Sequence, residues 1–296
     1  MSISHWFQAT RPKTLVASLI PIVVGTCLAS LSGPIFISLF VFTLLSISCI
    51  QIGTHFFNDV IDFKKGTDTS SRLGPVRLTA SGKIKSKHMY LASFLMFLLA
   101  ILFAIPLVEK GGLPILVIGL LSLLFGYLYT GSRYSLSYNG LGEVFVLIFF
   151  GLIAVCGVFY LYLDFITLSS FIAGLEVGFL ATALIAINNL RDIETDKKAQ
   201  KNTLAVRLGE KKFKVLLNII IFAPYVINLY WFSKSLYFAF FLPMIVLPFS
   251  LNLSLGIKKE RPSTLYNKFL GQAAKCELLF GVLLSIAFLL HAITHV

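Results

Sequence analysis

Two short stretches of the sequence combine aspartate and asparagine at a spacing that suits metal binding. They read NDVIDFKKGTD at residues 58–68 and NNLRDIETD at residues 188–196, and together they hold six of the 13 acidic residues of the chain. Residues three or four positions apart share one face of a helix, so each stretch can present its oxygen atoms on a single face. The predicted clusters are Asn58, Asp59 and Asp62 in the first stretch, and Asn188, Asp192 and Asp196 in the second.

Two carboxylate clusters held close together in a partly dehydrated site repel each other unless a cation lies between them. Mg²⁺ prefers oxygen ligands and usually completes its shell with water and with phosphate oxygens of a substrate. The two stretches therefore predict a magnesium site that binds a phosphate-bearing substrate. The predicted metal ligands are Asp59, Asp62, Asp192 and Asp196. Asp68 lies beyond the first helix face and is a secondary candidate, whereas Glu194 lies off the second face and is expected to be solvated.

Basic residues close to the acidic stretches can neutralise the remaining phosphate charge. Arginine does so through paired hydrogen bonds and lysine as a point charge. The simpler alternative for each is a role in orienting the chain in a membrane. The candidates beside the acidic stretches are Lys64, Lys65, Arg72, Arg77, Arg191 and Lys197. Arg11, Lys13 and Arg133 are expected at the same end of the molecule, with Arg11 contacting an anionic group of a substrate.

Long apolar runs must position these residues. The chain is 57% hydrophobic and contains 28 phenylalanines, and its mean hydropathy is +0.88. A run of roughly 17 to 25 apolar residues is long enough to cross a bilayer as a helix. The sequence therefore predicts an all-α membrane protein, a bundle of about nine transmembrane helices forming a single domain over residues 1–296. The predicted helices cover residues 15–31, 35–57, 90–108, 113–129, 144–162, 171–190, 215–231, 236–255 and 278–293.

The distribution of lysine and arginine supports this topology. Short cytoplasmic loops of membrane proteins carry an excess of these residues. With the N-terminus in the cytoplasm, all but two of the 25 basic residues, Lys110 and Lys234, fall on the inner side. Both acidic stretches then lie at the cytoplasmic ends of the second and sixth helices. Membrane orientation accounts for most of the net charge of +12, so we expect no nucleic-acid partner.

Four motifs, in the same order along the chain, resemble those of the UbiA superfamily of intramembrane prenyltransferases. They are RPKTL (11–15), NDVIDFKKGTD followed by RLGPVR (72–77), YNGLGEVFVLIFFG (138–151) and NNLRDIETDKKAQKNTLAVRLGE (188–210). Within this superfamily they resemble most the 1,4-dihydroxy-2-naphthoate polyprenyltransferases of menaquinone synthesis. The five residues between Asp62 and Asp68, followed by RLGPVR, depart from the 4-hydroxybenzoate branch and leave the role of Asp68 open.

The resemblance implies a UbiA-type bundle of nine helices in the bacterial cytoplasmic (inner) membrane, with Mg²⁺ as cofactor and membrane lipid around it. It implies that both Asp-rich stretches bind a polyprenyl diphosphate, and that the ring of dihydroxynaphthoate then attacks at its carboxylated carbon, with loss of carbon dioxide and a proton. The implied catalytic residues are Asp59, Asp62, Asp192, Asp196 and Arg11. The substrate-binding candidates are Asn58, Asn188, Asn189, Lys13, Lys65, Arg72, Arg77, Tyr129, Arg133, Arg191 and Asp68.

Several further side chains have alternative predicted roles or none. Tyr127, Tyr129 and Tyr134 are candidates for shielding an allylic cation, or are ordinary interfacial aromatics. Glu143 is a helix N-terminal acid that is also a candidate for orienting substrate or accepting a proton. Glu176 has no assigned role, and His55 is expected to be a packed or interfacial histidine.

Other functions compatible with the sequence differ in the acceptor or in the class of protein. An enzyme of this type can act instead on 1,4-dihydroxy-6-naphthoate or 4-hydroxybenzoate. From a different class, an ion-coupled secondary transporter also places carboxylates within a membrane bundle. Mg²⁺-dependent consumption of a prenyl diphosphate distinguishes the enzyme from the transporter.

Overall fold

A computed structural model of the chain describes residues 2–66, 73–75, 77–128 and 138–294. All regular secondary structure in these ranges is helical. Five residues singled out in the sequence fall outside the described part of the chain. They are Asp68, Arg72, Tyr129, Arg133 and Tyr134.

The helices follow one another with short connections. The first seven helical elements are α1 (Ile3–Ala9), α2 (Pro12–Ala29), α3 (Ile37–Lys64), α4 (Ser86–Leu128), α5 (Gly142–Val146), a π-helical segment (Leu147–Ile153) and α6 (Ala154–Leu163). The remaining ones are α7 (Leu168–Arg191), α8 (Ile193–Lys198), α9 (Leu204–Ile227), α10 (Leu229–Ser233), α11 (Tyr237–Met244), α12 (Leu247–Lys259) and α13 (Tyr266–Thr294).

The longest helical element, α4, is two antiparallel helices joined at a glycine. Its 43 residues would span about 64 Å if straight, roughly twice the thickness of a bilayer core. Gly112 interrupts it with φ 61° and ψ −150°. Tyr90 and Tyr127, on either side of the break, both contact Phe57 of α3, with ring centroids 5.9 and 5.4 Å apart. A straight helix would hold these two tyrosines more than about 50 Å apart.

The break at Gly112 determines how many apolar segments could cross a membrane. Eight helical stretches among the described residues are long and apolar enough to cross a membrane, and α4 is one of them. Dividing α4 at Gly112 gives nine segments, which agrees with the predicted nine-helix bundle. The prediction of an all-α membrane fold is therefore confirmed.

Close backbone packing holds the π-helical segment against α7, the helix that carries the second acidic stretch. A Cβ atom on Gly151 would lie 2.5 Å from the carbonyl oxygen of Gly174 and 2.6 Å from Cα of Gly178. Only glycine permits such an approach, and small residues are typical of helix contacts in membrane proteins. A π-helical turn is rare and often lies at a functional site. Here it adjoins the wall of the cavity described below.

The acid in the middle of α7 has a partner in the core. Glu176 is fully buried, and the indole Nε1 of Trp231 donates to both of its carboxyl oxygens at 3.0 Å. This contact ties α7 to α10 and gives Glu176 a structural role, which the sequence alone did not suggest.

Candidate active site

One cavity of about 310 Å³ brings the two acidic stretches together. The first stretch, at the end of α3, contributes Asn58 and Asp62 to its wall. The second stretch, from the end of α7 through α8, contributes Asn188, Asn189, Asp192 and Asp196. The cavity continues deep into the bundle, since Ile47 also lines it and lies about 22 Å from Asp62 along the axis of α3.

Arg191 fixes the shape of the second stretch. Its Nε and Nη2 donate to the two carboxyl oxygens of Asp192 at 2.8 and 2.6 Å, and Nη2 also donates to Asn188 Oδ1 at 2.7 Å. The side chain is 1% exposed. Arg191 therefore lies behind the cavity wall as a support for Asp192, whereas the sequence suggested that it would contact the substrate.

Asn267 of α13 links the two stretches. Its Oδ1 accepts from Nη1 of Arg191 at 2.7 Å, and its Nδ2 donates to the carbonyl oxygen of Leu73 at 2.9 Å. Leu73 follows the first stretch in sequence, so this side chain joins Leu73 to Arg191 at the end of α7. Asn267 could not be singled out from the sequence, because a single asparagine without acidic or basic neighbours at helical spacing gives no signal of a site.

The two aspartates of the first stretch have different surroundings. Asp62 lines the cavity and accepts from Nη2 of Arg77 at 3.1 Å, and Arg77 lines the cavity as well. Asp59 is 4% exposed and does not line the cavity. Its two carboxyl oxygens accept from the backbone amides of Leu78 and Thr79 at 3.3 and 3.0 Å. The structure thus gives Asp59 the surroundings of a loop anchor, although the sequence predicted a metal ligand.

Asp59→Ala is expected to destabilise the protein without removing substrate binding. The change leaves two buried backbone amides without acceptors, which costs about 1–3 kcal/mol. Thermal unfolding should therefore occur at a lower temperature, while Mg²⁺-dependent binding of prenyl diphosphate by the folded protein stays close to that of the wild type. Asp59→Asn, which keeps a carbonyl acceptor, should be less destabilised. Loss of binding with unchanged unfolding would instead show that Asp59 is a ligand.

Among the basic residues, Arg11, Arg77 and Lys201 line the cavity. Lys201 Nζ lies 3.6 Å from Asp196 Oδ1. Lys201 was not among the candidates from the sequence, although it lies within the fourth motif. Lys13 and Lys65 are exposed and do not line the cavity.

Arg11 has an unusual backbone conformation. It is the N-cap of α2, with φ 52° and ψ 64°, and it immediately precedes Pro12. A left-handed conformation in a non-glycine residue costs about 1–3 kcal/mol and is concentrated at functional sites. The residue before proline is further restricted toward extended conformations. Arg11 also lines the cavity, and the substrate contact expected of it from the sequence stays a prediction.

Phenylalanines form an aromatic wall of the cavity. Phe125 lies 5.0 and 4.9 Å from Phe145 and Phe149, and the latter two are stacked at 4.3 Å. All three line the cavity. Tyr127, a candidate from the sequence, does not line it and is 49% exposed. Among the described residues, phenylalanines therefore make the aromatic wall of this cavity. The sequence contains too many phenylalanines to show which of them line it.

Two further polar pairs lie at the cavity wall. Asn189 donates from Nδ2 to Oε1 of Glu143 at 2.9 Å, and Glu143 is 3% exposed. Glu143 therefore fixes the orientation of the Asn189 side chain through this hydrogen bond, and Asn189 in turn lines the cavity. His55, expected to be a packed histidine, also lines the cavity, and its Nε2 lies 3.0 Å from Thr14 Oγ1.

The donor set of the cavity suits Mg²⁺ that is shared with a substrate. Within the described ranges, no three His, Cys, Asp or Glu side chains are close enough to hold a metal by themselves. The carboxylates of Asp62, Asp192 and Asp196 nevertheless face one space. Mg²⁺ commonly takes only one or two carboxylates and completes its shell with water and phosphate oxygens. The residues present therefore fit this ion.

Comparison with known proteins identifies the family. A profile described as the UbiA prenyltransferase family matches residues 18–291. The chain belongs to the UbiA prenyltransferase family. The resemblance noted in the sequence is thereby confirmed, and membership identifies this UbiA protein as a prenyltransferase, so the transporter alternative is not retained.

Curated UbiA relatives include two bacterial enzymes. The chain is 38% identical to the 1,4-dihydroxy-2-naphthoate octaprenyltransferase of Haemophilus influenzae, over 72% of each chain. It is 35% identical to the enzyme of the same name from Bacillus subtilis, over 71% of this chain and 68% of the relative.

Solved UbiA structures share the fold. A UbiA homologue from Archaeoglobus fulgidus bound to GPP and Mg²⁺ superposes with a TM-score of 0.69, covering 96% of this chain and 99% of the other. Sequence identity is 17%, so this likeness concerns the fold alone.

Proposed function

We propose that the protein transfers a polyprenyl group from polyprenyl diphosphate to 1,4-dihydroxy-2-naphthoate, with release of diphosphate and carbon dioxide. The observation that carries the proposal is the single cavity in which Asn58 and Asp62 meet Asn188, Asp192 and Asp196. The relatives from H. influenzae and B. subtilis support the choice of acceptor, because their names state it and they match most of the chain at 38% and 35% identity.

The shape of the cavity suits a substrate with a charged head and a hydrocarbon tail. Carboxylates, Arg77 and Lys201 line it near the ends of α3 and α7. Ile47, Ile50 and Ala154 line it farther along α3 and α6. A diphosphate bound among the charged groups would therefore direct its prenyl chain into the apolar interior of the bundle.

The side chains of the cavity would hold the diphosphate and stabilise its departure. The proposed metal ligands are Asp62, Asp192 and Asp196, and the proposed diphosphate partners are Asn58, Asn188, Arg77 and Lys201. Arg11, which also lines the cavity, would pair with the carboxylate of the acceptor. When bound, Mg²⁺ would stabilise the negative charge that develops on the leaving group. Arg77 and Lys201 are each held next to one of these acids. Asp68, Arg72, Tyr129 and Arg133 lie outside the described residues and stay predictions.

Departure of the diphosphate leaves an allylic cation that must be protected from water. Phe125, Phe145 and Phe149 would exclude water and stabilise the positive charge through their ring faces. The acceptor then reacts through the ring carbon that bears its carboxylate, and this carbon forms a bond to the allylic cation. The bond to the carboxyl carbon breaks, carbon dioxide leaves, and its electron pair restores the aromatic ring.

We further propose that the protein works in the cytoplasmic membrane of a bacterium, with the acidic end of the bundle toward the cytoplasm. The excess of basic residues on that side supports this orientation. A soluble aromatic acid would then reach the cavity from the cytoplasm, while the prenyl chain and the product stay in the membrane.

The mass of the product tests the proposed reaction. Purified protein in lipid nanodiscs would receive Mg²⁺, a polyprenyl diphosphate and one aromatic acid at a time. We expect prenylated, decarboxylated product with 1,4-dihydroxy-2-naphthoate, and little with 1,4-dihydroxy-6-naphthoate or 4-hydroxybenzoate. A product from 4-hydroxybenzoate that retains its carboxyl group, with none from the naphthoate, would overturn the assignment of the acceptor.

A further inference from the structure

One histidine in the cavity wall has no part in the roles assigned above. His55 is 8% exposed and lines the cavity on α3, one helical turn before Asn58. The described hydrogen-bond partner of its ring is the hydroxyl of Thr14 on α2, at 3.0 Å from Nε2. Thr14 lines the cavity as well. An imidazole in this position is a candidate for moving a proton to or from a substrate.

The hydrogen bonds of Thr14 determine which ring nitrogen of His55 carries the proton. A threonine hydroxyl has one hydrogen to donate and can accept through its lone pairs. Thr14 Oγ1 donates to the carbonyl oxygen of Arg11 at 2.9 Å. The contact at 3.0 Å must then be a donation from His55 Nε2 to Thr14 Oγ1. The neutral ring therefore keeps a lone pair on Nδ1, and among the described residues no side chain donates to that nitrogen.

Arg11 adds a cation to the same wall. It lies three residues before Thr14 and lines the cavity with it. In 1,4-dihydroxy-2-naphthoate the carboxylate and the 1-hydroxyl are neighbours on the ring. Arginine pairs with carboxylates, and a ring nitrogen with a free lone pair accepts from hydroxyl groups. Arg11 and His55 thus match the two neighbouring groups of the acceptor.

We propose that His55 is a catalytic residue that takes the proton of the 1-hydroxyl of the acceptor through Nδ1, an inference that rests on the proposed function. As the proton moves to Nδ1, the oxygen electron pair enters the ring, and the carboxylated carbon bonds to the allylic cation that remains after the bond to the diphosphate oxygen has broken. Carbon dioxide then leaves from the carboxylate, its electron pair restores the aromatic ring, and the ring oxygen recovers the proton from Nδ1. His55 is neutral again at the end of the reaction, and there is no net transfer of a proton to it.

His55→Gln tests this role because glutamine can still donate to Thr14 but cannot accept the proton. Initial rates would be measured in nanodiscs with Mg²⁺ and a polyprenyl diphosphate, using dihydroxynaphthoates whose electron-withdrawing substituents make the hydroxyl progressively more acidic. We expect kcat with the parent acceptor to fall by about 100-fold, with an unchanged Kd for prenyl diphosphate. The ratio of wild-type to variant rates should shrink as the acceptor becomes more acidic, because an already ionised hydroxyl needs no base.

Two controls separate catalysis from packing. His88→Gln makes the same chemical change at an exposed histidine outside the cavity and should leave kcat unchanged. Thr14→Val removes the group that fixes the tautomer and should lower kcat, whereas Thr14→Ser should restore it. This pair keeps the test available even when the His55 variant does not fold.

The outcomes are distinct. A rate ratio that stays constant across the acceptor series, or a loss of prenyl diphosphate binding that parallels the loss of turnover, would overturn the role of His55 and leave the proposed function intact. Absence of transfer by the wild type to any aromatic acid would instead overturn the proposed function itself.

Discussion

Asp192→Asn is expected to lower kcat by about 10²- to 10³-fold while the protein still folds, as for the loss of one group that stabilises developing charge in other enzymes. Asparagine has nearly the shape of aspartate, and its carbonyl oxygen can keep one hydrogen bond from Arg191, which donates to both oxygens in the wild type. What the variant loses is a negative charge facing the cavity. That charge is what the proposed Mg²⁺ site requires of this residue.

The matched control for this change is Glu194→Gln. Glu194 lies two residues farther along the same stretch, but it is exposed and does not line the cavity. Removing its charge should change kcat by less than about two-fold, since surface substitutions of this kind have small effects. Equal turnover by Asp192→Asn and Glu194→Gln, with both proteins folded, would mean that Asp192 holds no part of the diphosphate site.

Removal of divalent cations is expected to reduce turnover to background and to weaken the binding of prenyl diphosphate. Asp62, Asp192 and Asp196 line one cavity, and a diphosphate placed among them without a cation meets repulsion from every carboxylate. Treatment with a chelator followed by addition of Mg²⁺ should restore both activity and binding. The measurement is the rate of diphosphate release, together with the Kd of the prenyl diphosphate.

The folded state should not depend on the metal. Asp62 accepts a hydrogen bond from Arg77, and Asp192 accepts two from Arg191, so these carboxylates have cationic partners in the folded protein without an ion. We therefore expect the unfolding temperature to be the same with and without chelator. Full turnover in the presence of excess chelator would show that the reaction does not require Mg²⁺.

The fold could be predicted from the sequence because the pattern that determines it is long and repeated. Nine apolar runs and the placement of lysine and arginine each constrain the same topology. The tight turn at Gly112 was anticipated as a boundary between two apolar runs, although there the helical pattern continues almost without a break. The apolar composition of these runs is therefore sufficient to locate the helices of a membrane bundle.

The site could be predicted only in part. Helix periodicity placed Asp59 and Asp62 in one cluster, but it did not show which of them faces the cavity. Backbone amides at Leu78 and Thr79 decide this, and they come from a segment that follows the first stretch and folds back onto it. Such a contact depends on tertiary structure and cannot be predicted from the spacing of polar residues along α3.

The partners of the acids were also beyond prediction. Arg191 stands next to Asp192 in sequence, and neither composition nor spacing distinguishes an arginine that supports a carboxylate from one that binds phosphate. Its four hydrogen bonds to Asp192, Asn188 and Asn267 settle the question in the folded chain. Asn267 itself lies near the start of α13 (Tyr266–Thr294), in a part of that helix that precedes the predicted range of 278–293.

The most direct test of the central claim is a double-mutant cycle on prenyl diphosphate affinity in the presence of Mg²⁺. The Kd would be measured for the wild type, Asp62→Asn, Asp192→Asn and the double variant. If both acidic stretches hold one metal-bound diphosphate, the double variant should bind hardly more weakly than the weaker single variant, a coupling of about 0.5–3 kcal/mol. Effects that simply add would show that the two stretches act independently, and would contradict a shared site.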